Sequence, residues 1–159
     1  MVRLIGNEIP TPSSIRYSGF PEANCSMPNR AVAFVACHNF NQRGLAALIT
    51  DMERFNRSVS VTGVALHDGC RVLSYIEGPP AALGAAFARA VGAFGHSDVI
   101  ELAHGWVGPR RFPYWAMRCT PVTKGELLRI VRADWDGFAQ KVGTTRPGTG
   151  MELLAALIR

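Results

Sequence analysis

The sequence has no run of 18 apolar residues, so no stretch reads as a membrane-spanning helix. Near its start, Asn7, Glu8, Pro10 and Pro12 stand where a signal peptide needs an apolar stretch, and a cytoplasmic location is expected. Cysteine is scarce. Cys25, Cys37, Cys70 and Cys119 form no C-x-x-C and no close pair, which excludes the usual structural zinc and thioredoxin patterns. Reduced, partly buried thiols are expected. Cys37 precedes His38, but adjacency in sequence does not build a nucleophile–base geometry. The net charge of +5 is not concentrated, and Arg110–Arg111 is the densest basic pair. A basic patch with interleaved aromatics is missing, so nucleic acid is not the expected partner. Neither G-x-S-x-G, H-E-x-x-H nor G-x-G-x-x-G occurs, and His38, His67, His96 and His104 have no ligand spacing. Gly143–Gly150 resembles a phosphate loop, but no Lys-Ser/Thr follows its second glycine and no strand precedes it; it reads as a linker. No catalytic machinery or metal site is visible, and the chain is not expected to be an enzyme.

What is present suits one packed core. The 159 residues are 48% hydrophobic, with eight Phe, three Tyr and three Trp, enough to exclude wholesale disorder. Residues 1–29 have little periodicity and read as an extension. Ala31–Ala36 is a short apolar run of the kind a buried central strand shows. Leu45, Leu48, Ile49, Met52 and Phe55 then recur at helical spacing. Ser60–Leu66 and Arg71–Ile76 read as a hairpin about Asp68-Gly69, with positive φ expected at both turn residues. Gly78-Pro79-Pro80 opens a second helix, whose apolar stripe includes Leu83, Ala86, Phe87, Ala90 and Phe94. Val99–His104 and Tyr114–Cys119 read as two further strands. Beyond Pro121, Leu128, Val131, Trp135 and Phe138 fall on one helical face, and Met151–Ile158 reads as a last helical turn or two.

The order is β-α-β-β-α-β-β followed by helix, so the expected class is α+β with a ferredoxin-like sheet. Right-handed crossovers place both long helices on one face, and the groove between them is the expected ligand site. Alternation puts Phe34 and Ser74 on its floor. The expected divisions are an extension over 1–29, a core domain over 30–120 and a C-terminal helical extension over 121–159. That extension is expected to cover the sheet face carrying Leu73 and Tyr75, or to meet a second subunit. Asn56, at the end of the first helix, suits capping or a turn. Glu77, isolated at a strand end, suits a dipole or loop contact more than acid–base work.

The stretches Val61-Thr-Gly-Val-Ala-Leu66, Ser74-Tyr-Ile-Glu-Gly-Pro79 and Arg111-Phe-Pro-Tyr-Trp-Ala-Met117 resemble, in order and spacing, motifs of the BLUF family, blue-light sensors that use flavin. The resemblance covers roughly residues 30–120. It implies the same fold, with the isoalloxazine of FAD or FMN between the two helices. It also implies that Asn56, Leu45, Ile49, Trp115, Met117 and His96 stand at flavin-contacting or switch positions. The family's photoactive tyrosine falls on Phe34 and its glutamine on Ser74; Ala36 replaces a serine. Ala93-Phe-Gly-His96 lacks the acid and arginines that help hold the flavin tail. Phenylalanine has no O–H to give, and serine lacks the amide that would rearrange. The resemblance therefore implies a sensory or regulatory domain that binds flavin weakly and does not run the usual photocycle. The alternative is a flavin-free interaction module of the same fold. A regulatory protein partner and homo-oligomer formation are expected.

Overall fold

The computed structural model describes residues 28–135, 137–138 and 148–158. The extension over 1–29 and the linker Gly143–Gly150 therefore lie largely outside the described residues. Strand β1 (Arg30–Cys37) leads to helix α1 (Gln42–Ser58), strands β2 (Thr62–His67) and β3 (Arg71–Gly78), and helix α2 (Pro80–Phe94). A 3-10 turn over His96–Asp98 precedes strand β4 (Val99–Trp106), then come β5 (Arg118–Pro121), helix α3 (Lys124–Val131) and helix α4 (Gly150–Leu157). The sheet order is β4-β1-β3-β2-β5, antiparallel throughout except for the parallel β2–β5 pair. This is the expected α+β arrangement of two split β-α-β units, with a fifth strand added at one edge.

Local signals start each helix. Asn41 caps α1, its side chain accepting from Gly44 N–H at 2.8 Å. Pro80 sits in the first turn of α2, where its missing N–H costs nothing. Thr123 with Glu126, and Thr149 with Glu152, form reciprocal capping boxes at α3 and α4. Gly63 on β2 is required by close approach, because a Cβ there would strike the Tyr75 carbonyl oxygen.

The central strands β1, β3 and β2 are buried on both faces, and their alternation sorts two cores. Val32, Phe34 and Ala36 of β1, with Val72 and Ile76 of β3, pack beneath α1 and α2. Ala31 and Ala33 of β1, Val64 and Leu66 of β2, and Leu73 and Tyr75 of β3 face the other way. They are covered by Leu127 and Ile130 of α3, by Phe138, and by Met151 and Leu154 of α4. The C-terminal segment thus covers the sheet face opposite the long helices, as expected.

Several element boundaries differ from those expected. The last strand is not Tyr114–Cys119 but Arg118–Pro121. Residues 114–117 cross the sheet end instead, giving the Trp115 carbonyl to Gly63 N–H and the Ala116 carbonyl to the Asn56 amide. The helix after Pro121 stops at Val131, and Leu127 and Ile130 are its buried residues rather than Leu128. Trp135 and Phe138 lie past its end yet still join the core; the Trp135 indole N–H donates to the Ile130 carbonyl, satisfying a terminal acceptor. At the hairpin only Gly69 has positive φ (96°), because the Asp68 carboxylate itself takes the N–H groups of Cys70 and Arg71. Cys37 and Cys70 are exposed thiols rather than partly buried ones.

Leu154 is fully buried between α4 and the sheet. Leu154→Ala is expected to destabilise the fold by about 2–5 kcal/mol, read by urea unfolding. An unfolding midpoint unchanged from the parent would show that α4 does not hold this face.

Candidate functional site

Phe34 and Ser74 are directly opposite in the β1–β3 register, and both are fully buried. Both occupy the face beneath the two long helices, with Val32, Ala36, Val72 and Ile76. The space above them is filled by the chain itself. The Phe87 ring of α2 lies 5.1 Å from the Phe34 ring, and Leu45, Ile49 and Met52 of α1 join the same cluster. Over the seam, Arg89 of α2 pairs with Asp51 of α1 at 2.9 Å, its guanidinium 4.8 Å from the centre of the Phe55 ring. Both members of that ion pair are about half exposed, and such pairs contribute about 0–1 kcal/mol. The apolar filling, not the ion pair, closes the groove. Ser74 Oγ has no hydrogen-bond partner, an unmet requirement of about 1–3 kcal/mol.

The remaining sequence-derived positions divide. Asn56 is buried, but its amide donates to the Ala116 carbonyl at 2.9 Å, and its own carbonyl accepts from Val59 and Val61 N–H. It ties the end of α1 to the segment leading into β5. Met117 is buried in the groove-side core. Trp115 is not: its ring packs with the opposite core, under the Arg118 guanidinium at 4.7 Å. The two residues part because this segment is not a strand, so i and i+2 need not share a face. The His96 backbone forms part of the 3-10 turn, and its side chain lies outside the described residues.

Glu77 is fully buried at the end of β3 and organises the opposite core. It accepts from the Tyr75 hydroxyl at 2.8 Å, from Arg111 N–H at 3.0 Å and from Phe112 N–H at 2.7 Å. The loop contact expected of it is what the structure contains. Burial, and then the neighbouring Glu77 charge, push the Tyr75 phenol well above its ordinary pKa.

A cavity of about 650 Å³ lies apart from the interhelical groove. It lies under the first turns of α1, beside the β2–β3 turn and β5, and Leu45 and Ile49 are the only sequence-derived site residues on its wall. His38 and His67 also line it, although the sequence marked neither as a site residue. The His38 ring stacks on Phe40, with centroids 5.6 Å apart, and its Nδ1 accepts from Phe40 N–H at 3.1 Å. Burial, then the nearby His67, lower the His38 pKa against the opposing pull of Asp68. Burial pushes the Cys119 thiol up to about 11, leaving it an inert part of the wall at neutral pH.

Two split β-α-β units, a fifth strand parallel to β2 and helices covering the far face define a ferredoxin-like α+β domain. The sequence model of the family described as "BLUF: Sensors of blue-light using FAD" matches residues 31–118, and the chain belongs to that family. Among solved structures, "BlrP1 BLUF" is 25% identical with a TM-score of 0.57, covering 82% of this chain and 90% of its own. "BlrB - a BLUF protein, dark state structure" is 20% identical with a TM-score of 0.55, covering 69% and 86%. A bacterial light-regulated adenylyl cyclase is 16% identical with a TM-score of 0.54; the match covers 58% of this chain but only 28% of the cyclase. No curated protein sequence matches. Among the described residues, no helix is long and apolar enough to cross a membrane.

Glu77→Ala strands three donors, two of them buried and the Arg111 N–H half-buried, and is expected to destabilise the fold by about 3 kcal/mol or more, measured by urea unfolding; a loss below about 1 kcal/mol would mean that water replaces the carboxylate. Burial lowers the His38 pKa in the fold, whereas an unfolded histidine charges below about pH 6.5. Its contribution is therefore fully present above that pH and is lost as pH falls toward the lowered folded value. Thermal unfolding compared between neutral and mildly acid buffers should show a smaller acid loss in His38→Asn than in the parent.

Proposed function

We propose that this chain is a BLUF-family regulatory domain that does not run the family's flavin photocycle and signals through protein contacts. The observation that carries this reading is the Phe34–Ser74 pair with Phe87 seated on it. By family resemblance these two positions belong to the photoactive tyrosine and glutamine. Phe34 has no proton to transfer, and the Ser74 hydroxyl has no amide to rearrange.

As its side chains stand, the groove does not fit an isoalloxazine. Its volume is occupied by Phe87, Ile49 and Met52, and the Asn56 amide is committed to the Ala116 carbonyl. Among the buried side-chain polar atoms of the described residues, Ser74 Oγ is the one on this face left without a partner. The acid and arginines that would hold the flavin tail are replaced around Ala93-Phe-Gly-His96. Each lost charge-assisted contact weakens binding by about 1.5–3 kcal/mol, about tenfold to more than a hundredfold. FAD or FMN added to the protein is therefore expected to bind weakly. A second copy or a regulatory protein is the natural partner. Ile100 and Trp106 on edge strand β4, 64% and 55% exposed, support such a contact surface. No catalytic role is assigned to the chain.

The test is spectroscopic. With FAD added in excess, blue light should leave the flavin spectrum without a reversible red shift. In a Phe87→Ala background, which removes the ring filling the groove, the pair Phe34→Tyr and Ser74→Gln should restore part of that shift. Neither change should do so alone. A reversible red shift in the unaltered chain, or stoichiometric flavin in freshly purified protein, would refute the reading.

A further inference from the structure

Strand β4 forms one edge of the sheet, and among the described residues no strand pairs with its outer side. Such edges are usually blunted by shortness, proline, lysine or a bulge. β4 is eight residues long and contains no proline, lysine or arginine. Of those devices it has only the bulge, at Leu102, where the register with β1 shifts between Ala33 and Phe34. Ile100 and Trp106 stand exposed along it.

The register fixes which way each residue of β4 faces. Val99, Glu101, His104 and Trp106 lie opposite Ala36, Phe34, Val32 and Arg30, on the face of the two long helices. Ile100, Ala103 and Gly105 take the other face. Glu101 and His104 share a face only because of the bulge, and their side chains are in contact. Two backbone bonds fix the free edge as well. Val107 N–H donates to the Asn29 carbonyl, and His38 N–H to the Cys70 carbonyl. β1 therefore bonds to β4 through its odd-numbered residues and to β3 through its even-numbered ones. The N–H and C=O groups of Val99, Glu101, His104 and Trp106, which lie opposite the even-numbered residues, point outward.

We propose that two copies of the chain join their sheets along β4, antiparallel, about a two-fold axis at the Leu102–Ala103 bulge. Such an axis keeps every residue on its own face. Glu101 then lies opposite the partner subunit's His104, and His104 opposite the partner subunit's Glu101, each an acceptor facing a donor. Trp106 covers the partner subunit's Val99. Ile100 covers the partner subunit's Gly105, which has no side chain to obstruct it. Moving the axis one step either way would set Glu101 against Glu101 or His104 against His104, and like groups directly opposite are unfavourable. The edge is thus complementary to itself, which commits it to a second copy rather than to an unrelated strand. This pairing specifies the second-copy partner proposed above and rests on it, whereas the flavin spectrum is independent of the edge.

Sedimentation of the full chain should show a reversible dimer, with the micromolar dissociation expected of a small interface. Glu101 and His104 are exposed, so substitutions there leave the fold intact. Glu101→Lys combined with His104→Lys sets lysines against each other across the axis, and His104→Glu alone sets carboxylates against each other. Each of these variants should associate at least tenfold more weakly than the parent, and an equimolar mixture of the two should restore association. Amide exchange at Glu101 and His104 should slow with rising concentration in the parent and in the mixture, but in neither variant alone. A parent that stays monomeric at about 1 mM would overturn the pairing. So would a dimer that both variants retain. Protection of the two amides that does not change with concentration would also overturn it, and would place a strand from residues 1–27 of the same chain on the edge instead.

Discussion

Burial of β1 and β3 on both faces is the constraint on which the rest of the structure depends. Every residue from Ala31 to Ala36 and from Val72 to Gly78 is buried, so each position must satisfy one of two cores. A one-residue slip in register would exchange Phe34 with Ala33 and Ser74 with Tyr75, emptying one core and overfilling the other. The polar exceptions show how tightly this binds. Glu77 is admitted because three donors converge on it, two of them backbone N–H groups of the loop after β4. Ser74 is admitted with its hydroxyl unpaired, small enough to leave the Phe34–Phe87 contact intact.

That packing decides where small molecules can go. With aromatic rings on both sides of the seam and Arg89 reaching Asp51 across it, the space between α1 and α2 is spent on the protein's own core. Space persists on the other flank of α1. There the helix N-terminus, the hairpin turn and the short parallel strand β5 meet at their ends and do not interdigitate. Membership of the BLUF family and departure from its photochemical groups are thus compatible: the sheet and its crossovers demand only shape and hydrophobicity of Phe34 and Ser74.

Much of the fold was legible along the chain. The apolar run at Ala31–Ala36, the stripe Leu45–Phe55 and the proline pair at 79–80 each specify their element locally. The capping boxes Thr123-x-x-Glu126 and Thr149-x-x-Glu152 were equally plain signals for α3 and α4, and they mark helix starts better than the stripe through Leu128 does. The segment 114–117 misled because Tyr, Trp and Met favour strands. Its backbone is instead claimed by Gly63 and Asn56, partners about 50 to 60 residues away that no local pattern contains.

The sequence by itself determined the class of fold, the family, and the chemical identity of the two residues at the photoactive positions, because these reside in periodicity, motif order and side-chain type. Tertiary structure alone decided that Asn56 anchors backbone, that Trp115 turns to the far core, and that Phe87 closes the groove. It alone brought His38, His67 and Asp68 to one cavity wall. Those facts depend on which surfaces meet when distant elements pack, and on which polar atoms are then left without partners; neither quantity exists until the chain is folded.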